Sequence, residues 1–326
     1  MAAVGHLFPS ERFRYADPAT ELEVIRLTDP SFSSGLTAAH LRQFGRRSDA
    51  LLYWSERDGK KQAYHLDLRS GGSKQLSEAA ALDPLSLALG NDERSFFHFD
   101  GPSLVETSLP SLHSKTIHEA ASNRVGMAVA FDGSVLFAEG SRIMRVTRQK
   151  AAPEFDTSAP VDAILPRPRH PDVVWRSGDA WWIGQKQIRL APGRVGEAVW
   201  SPSGATLLYL HIPDDTKTLI TVREHTPETG ADTEVARTSQ FATFAPNGDA
   251  SVFAGASRSK ASAYVLLLLR VTRRELTLCE HHASDPGMVS PIFTPDSQSV
   301  FFVSDRHGKP AVYRVHVEKF VEATEG

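Results

Sequence analysis

Short apolar runs alternate with tight turns along most of the chain, and no long stretch shows helical periodicity. One form recurs six times: a turn rich in Pro, Asp, Asn, Ser or Gly leads into an apolar run that ends in an aromatic residue, as in 201–209, 245–253 and 294–302. Proline fixes φ, and the residues after it tolerate the left-handed conformation that a tight turn needs. Each copy therefore predicts a hairpin turn followed by a β-strand.

The spacing of these copies predicts the architecture. Successive copies end at intervals of about 44, 40, 72, 44 and 49 residues. Propeller blades repeat at about 40–50 residues, so the long interval is expected to contain a degenerate copy. Residues 161–190 fit it, because the apolar runs 173–175 and 180–183 flank a polar turn. Six clear copies and one degenerate copy predict seven blades.

The two ends of the chain are expected to form one blade together. Residues 21–28 read as a strand without a hairpin partner, and the last copy finishes at 311–317, one strand short of four. Pairing them would close the ring and remove both free edges. The expectation is one all-β domain, 1–326, a seven-bladed β-propeller of four-stranded antiparallel blades. The blades are expected at about 33–78, 79–120, 121–158, 159–192, 193–236, 237–280, and 281–322 plus 21–28.

Composition and charge limit the kinds of partner and cellular location that the chain is expected to have. The net charge is −3 and no basic stripe is visible, which argues against nucleic acid. The longest apolar run, 263–269, is far shorter than the ~20 residues that span a bilayer. Cys279 is the only cysteine, so no intramolecular disulfide can form, and it is expected to be a buried, small apolar residue. Residues 1–9 lack the pattern of a signal peptide. We therefore expect a cytoplasmic monomer.

The turn and strand motifs resemble those of TolB-like propellers, through 26–28, 295–296, 304–308 and 311–313. They are still more similar to the oligogalacturonate lyase family of seven-bladed propellers, through 15–18 with 24–28, 33–34, 92–97, 278–281 and 293–305. The resemblance implies β-elimination on short oligogalacturonides. In that reaction a divalent metal, typically manganese, neutralises the uronate carboxylate, and a histidine base removes the C5 proton.

The chain departs from the family where this chemistry resides. The family's Gln-x-x-His-Pro-His-Pro stretch, which supplies three metal ligands, reads 285–291 here, with Asp285 for the glutamine and with Met288 and Ser290 for the histidines. Glu197 stands where the family has its histidine base, and residues 238–244 lack the remaining metal histidine. Thioether and hydroxyl groups do not replace imidazoles for such a cation. No cofactor is expected, or Mn²⁺ or another divalent cation if lyase activity survives.

Three groups of side chains are candidates for a site. His281 and His282, with Asp285 nearby, form either a relocated metal site or an ordinary surface loop. Glu197 is either a carboxylate base or a solvated residue before a strand. Arg42, Arg46 and Arg47 lie in or before the innermost strand of the first blade, where they could hold a uronate carboxylate in a bidentate manner.

The leading hypothesis is a degenerate member of this family that binds an acidic saccharide, or a protein, at its central mouth. One alternative is an active lyase with a rebuilt metal site. The other is a TolB-like scaffold for protein interactions, since fold alone does not settle function.

Overall fold

Seven antiparallel sheets form the described part of the chain, which in the computed structural model comprises residues 3–148, 150–215, 217–238 and 241–317. The expected ranges reach to 322, and residues 318–322 lie outside the described part. Within it, the strands of every sheet except β1 and β2 lie inside the expected blade ranges to within one residue. The all-β, seven-bladed propeller is confirmed.

The strands are given in chain order. The first half contains β1 (Leu7–Phe8), β2 (Phe13–Ala16), β3 (Glu23–Arg26), β4 (Ser34–Gly35), β5 (Ala50–Ser55), β6 (Gln62–Asp67), β7 (Ser73–Gln75), β8 (Ala88–Leu89), β9 (Ser95–Asp100), β10 (Ser103–Ser108), β11 (Ser114–Glu119), β12 (Arg124–Val129), β13 (Val135–Glu139), β14 (Arg142–Val146) and β15 (Ala151–Asp156). The second half contains β16 (Ala163–Pro166), β17 (Val173–Ser177), β18 (Ala180–Ile183), β19 (Lys186–Ile188), β20 (Arg194–Trp200), β21 (Leu207–Ile212), β22 (Thr221–Thr226), β23 (Ala231–Arg237), β24 (Phe241–Pro246), β25 (Val252–Ser257), β26 (Tyr264–Leu269), β27 (Arg274–Glu280), β28 (Ile292–Phe293), β29 (Ser299–Ser304) and β30 (Ala311–His316). Short 3-10 helices lie at Pro84–Ser86, Lys260–Ser262 and Pro286–Met288.

The N-terminal segment closes the ring. Strand β3 pairs with β30, so blade 7 combines both ends of the chain, as expected. Two blades have a fifth strand that was not expected: β2 extends blade 7 beyond β3, and β1 pairs with β7 at the outer edge of blade 1. The N-terminal residues therefore join two adjacent blades.

The hairpin turns repeat the same backbone geometry in six blades. In each, the fourth residue of the turn has φ between 54° and 83° and donates its N–H to the carbonyl three residues earlier at 2.8–3.1 Å. These residues are Ser48, Glu93, Gly133, Gly204, Ala250 and Ser297. In the degenerate blade 4 the positive φ falls on Arg169, and the bond from His170 to Arg167 is longer, at 3.3 Å. This irregular turn explains why that copy is hard to read in the sequence.

The core lies between the blades. Strand β26 has five of its six residues buried because it is packed between neighbouring sheets on both faces. At the closure the rings of Phe44 and Phe301 meet edge to face, with centroids 4.9 Å apart. Cys279 is fully buried in the cluster between blades 6 and 7, as expected. In the described part of the chain, no helix is both long enough and apolar enough to cross a membrane.

Candidate functional site

The inner strands surround a channel that opens into a cavity at each end. The upper cavity, of about 440 Å³, is lined by the loops that enter blades 1, 2 and 7 and by the inner strand of blade 5. The lower cavity, of about 370 Å³, lies against the hairpin turns of blades 5, 6 and 7. Ala39 lines both cavities, so they lie next to each other at this residue.

A bulge in the inner strand of blade 5 directs Glu197 into the upper cavity. The pairing of β20 with β21 shifts register between Val195 and Ala198, which leaves Gly196 and Glu197 outside the ladder. Such bulges commonly redirect a side chain near a site. The Oε2 atom of Glu197 accepts a hydrogen bond from the backbone N–H of Phe244 at 2.8 Å. Burial raises the pKa of Glu197 to about 7, against that one hydrogen bond. The expected alternative of a solvated glutamate does not describe this residue.

His40, a residue that the sequence did not single out, faces the same cavity. Its Nε2 lies 2.9 Å from the carbonyl oxygen of Met127. Because a carbonyl only accepts, Nε2 carries the proton and Nδ1 is left as an acceptor. Burial lowers the pKa of His40, although the bond to Met127 acts the other way. The imidazole is therefore neutral near neutral pH.

Thr37 and Trp54 complete the polar and aromatic lining. The Oγ1 atom of Thr37 is buried and has no hydrogen-bond partner among the described residues. Trp54 is held in place because its indole N–H donates to the Leu36 carbonyl at 3.1 Å. No sequence motif marks either residue, because their place in the cavity depends on the conformation of the loop before β5.

The stretch 285–291 lines the upper cavity through Gly287, Met288 and Ser290, but not through Asp285. Met288 and Ser290 face it, whereas Asp285 is exposed and accepts a bond from the Gly287 N–H at 2.9 Å, capping the Pro286–Met288 turn. Glu197, Met288 and Ser290 thus line one cavity. Ser239 and Gln240, from the segment 238–244, lie outside the described residues.

The paired histidines are separated by the fold. His281 is fully buried, with Nε2 3.2 Å from the Ser257 carbonyl and Nδ1 accepting the Ala283 N–H at 3.0 Å. His282 is exposed and contacts Glu280 at 2.8 Å. Among the described residues, no group of three or more His, Cys, Asp and Glu side chains is arranged to hold a metal. The contacts of His281 are those of a structural residue.

The arginine cluster does not reach the upper cavity. Arg42 pairs with Glu93 of the next blade's turn and lines the lower cavity. Arg46 donates its backbone N–H to the same carboxylate at 2.8 Å, and its guanidinium donates to the Asn91 carbonyl at 2.7 Å. Arg47 is exposed. Arg42 and Arg46 tie blade 1 to blade 2, and a ligand-binding role for the cluster stays a prediction.

Comparison with known proteins gives a consistent result. No family model matches the chain. An oligogalacturonide lyase from Pectobacterium atrosepticum is 23% identical over 385 aligned residues, covering 97% of this chain and 98% of the relative. The chain is a homologue of oligogalacturonide lyase. The likeness extends to solved structures: an oligogalacturonate lyase in complex with manganese (TM-score 0.86) and one from Vibrio parahaemolyticus (TM-score 0.85) are each 19% identical to it, and each comparison covers 98% of this chain and 100% of that chain.

The upper cavity of this protein does not present a fitting donor set for manganese. Its described lining has one carboxylate, Glu197, and one imidazole, His40, whose Nε2 proton is directed at a carbonyl. Met288 offers a thioether, which is a poor ligand for a hard cation, and Ser290 offers a neutral hydroxyl. These residues do not fit the metal that the resemblance implies.

Proposed function

We propose that this homologue is a saccharide-binding propeller that retains the central cavity of the lyases without their metal-dependent elimination. One observation carries the proposal: the upper cavity is lined by Glu197, Met288 and Ser290. The sequence resemblance places the family's base and two of its metal ligands at these three positions. The cavity is of the size that binds a small ligand. Trp54 supplies an aromatic wall, and Glu197, Thr37 and Ser290 supply polar groups for hydroxyls.

The lining favours a neutral saccharide over the acidic one expected from the sequence. None of the described residues that line the upper cavity is Lys or Arg, so no cation there balances a uronate. Above pH 7 an ionised Glu197 would place a second negative charge beside it. At about 4 Å and the effective dielectric of a protein site, like charges repel by about 4 kcal/mol. A hydroxyl group of a neutral sugar can instead accept a hydrogen bond from the protonated carboxyl group or donate one to the ionised carboxylate.

Calorimetry with a matched pair of disaccharides tests the proposal. Galactobiose and digalacturonate differ in their carboxylates, and at pH 8 galactobiose is expected to bind at least about tenfold more tightly. Glu197→Gln should narrow that preference, because it removes the repelling charge and keeps the bond to the Phe244 N–H. Trp54→Leu should weaken galactobiose binding, whereas Phe131→Ala, which alters an exposed aromatic residue outside the cavity, should not. Equal preference in wild type and Glu197→Gln would contradict the assignment.

A second candidate is an active lyase in which Glu197 is the base. The pKa of about 7 favours it, since a general base works best when its pKa lies near the operating pH. Elimination also needs an acid for the leaving O4 atom. His40 is neutral and directs its only N–H to the Met127 carbonyl, so it has no proton to give. A carboxylate base alone is therefore half of the required pair.

An absorbance assay separates binding from cleavage. Digalacturonate is incubated with a high concentration of the protein, with and without manganese, and formation of the conjugated unsaturated product is followed. We expect none. Product formation that rises through pH 7 and disappears in Glu197→Gln would support the lyase. If the protein binds neither disaccharide and cleaves neither, the TolB-like alternative, a scaffold for protein interactions, is favoured.

A further inference from the structure

A second polar cleft lies outside the central channel, between blades 4 and 5. It has a volume of about 450 Å³ and is formed by the β16–β17 turn, the β18–β19 hairpin and the β22–β23 turn. Ile183, Ile188 and Pro227 supply its apolar lining. It shares no lining residue with the upper or the lower cavity. The cleft is thus independent of the function proposed above.

Both acidic residues of this cleft pair with the same arginine. Arg167 is only 4% exposed, and its Nε donates to the Gly204 carbonyl at 2.7 Å. One terminal nitrogen contacts Asp172 at 3.0 Å, and the other pairs with Glu228. A single guanidinium therefore anchors both carboxylates to the wall between the blades. This group keeps one negative charge, and the two other cations of the lining, Lys186 and Arg189, outweigh it.

Two cations at the rim are unpaired. Lys186 and Arg189 line the cleft and are exposed, and neither makes an ion pair or a side-chain hydrogen bond within the described residues. With three cations against two carboxylates, the lining has a net charge of about +1 at neutral pH. The unpaired charges lie beside the isoleucine side chains, which is a suitable environment for an anion with an apolar portion.

A buried imidazole provides the third element of recognition. His225 is 2% exposed and lines the cleft, and its Nδ1 atom has no hydrogen-bond partner among the described residues. A buried polar atom without a partner costs stability, so such atoms are normally satisfied by a ligand or a water molecule. Burial lowers the pKa of His225; the charges of Asp232 and Glu228 act against that shift and the charge of Lys186 acts with it.

We propose that the cleft between blades 4 and 5 binds a small organic carboxylate. Lys186 and Arg189 would pair with the carboxylate at the rim, His225 would hydrogen-bond the ligand inside, and Ile183 and Ile188 would cover its carbon skeleton. Carboxylates of this kind occur as sugar acids and as apolar acids. The shared chemistry is one negative charge on a compact, partly apolar body.

Titration of the full-length protein at low salt tests this site. The probes are D-galacturonate and benzoate, which separate a sugar acid from an apolar acid, and neutral D-galactose. Calorimetry should detect at least one of the two acids, and the imidazole resonance of His225 should move as that acid is added. Added salt should weaken the binding, because the two cations are exposed. Galactose should leave the His225 resonance unchanged.

The decisive variant is K186Q/R189Q, which changes exposed residues and should leave the fold intact. It should weaken binding of the acid by at least about tenfold, since charge-assisted hydrogen bonds are the strong ones. The control K115Q/K309Q removes the same charge from exposed positions outside the cleft. Binding that survives K186Q/R189Q, binding that is lost in Glu197→Gln instead, or silence with both acids would each overturn the proposal.

Discussion

Replacing Glu197 by glutamine should stabilise the protein at alkaline pH. The side chain lies in the upper cavity, where burial raises its pKa to about 7 from an ordinary value of 4.5. Glutamine has nearly the same shape, and its carbonyl oxygen can still accept the Phe244 N–H that now bonds Oε2 at 2.8 Å. The substitution therefore removes an ionisation and keeps the contact.

The magnitude follows from proton linkage. Between pH 4.5 and about 7 the unfolded chain has lost the Glu197 proton while the folded chain still holds it. Stability falls over that window, because the unfolded state binds fewer protons. At about 1.4 kcal/mol for each pH unit, the loss reaches about 3 kcal/mol above pH 7. The raised pKa thus contributes no penalty below pH 4.5 and its full penalty above pH 7.

Urea denaturation at pH 5 and pH 8.5 measures the effect. The gain in unfolding free energy of Glu197→Gln over wild type should be small at pH 5 and should grow by about 2 kcal/mol at pH 8.5. The other titrating groups are common to both proteins and cancel in the difference. Glu78→Gln, at an exposed position outside the cavity, controls for the loss of one charge. Parallel pH curves for wild type and Glu197→Gln would refute the argument.

Two further predictions concern the N-terminal segment and the cavity wall. Glu11→Gln should lower the unfolding free energy measured in urea by about 3 kcal/mol, because it breaks a mostly buried ion pair with Arg57. The control Glu23→Gln, which breaks an exposed ion pair, should cost less than about 1 kcal/mol. Equal costs of the two substitutions would contradict a role for burial. Gly35→Ala should lower the unfolding free energy by about 1–3 kcal/mol, because the new methyl group would lie 2.7 Å from the Trp54 ring. For the same reason it should weaken galactobiose binding in calorimetry. Unchanged stability would show that the Trp54 ring moves freely.

The fold could be predicted because its signals are local. A turn that needs a positive φ selects particular residues, as at Gly133 and Gly204, and the apolar run beside it identifies the strand. The two added strands escaped because they are short and exposed: β1 has two residues, and Phe13 in β2 is 47% exposed. Edge strands of this kind carry no burial pattern to read.

The site was only partly predictable because its contacts join distant segments. Glu197 could be located through its strand, but the bulge in the β20–β21 pairing and the hydrogen bond from Phe244 of blade 6 have no signal in the sequence. The arginines show the opposite case, since Arg42 and Arg46 find their partner in Glu93, a turn residue of the next blade. His40 was missed because a single histidine in a loop has no spacing that distinguishes it from any other.

The upper cavity contains two features that cost stability and that closer packing would have removed. Glu197 must ionise in a buried setting, and the Thr37 hydroxyl lacks a partner among the described residues. Substitutions that replace such a group and stabilise the protein are easy to find unless they impair function. Groups that cost stability are therefore typical of functional sites. A protein that served only as a rigid scaffold would gain from filling this space with apolar side chains. The volume of the upper cavity, the aromatic ring of Trp54 and these two groups therefore support the proposal that the cavity binds a ligand.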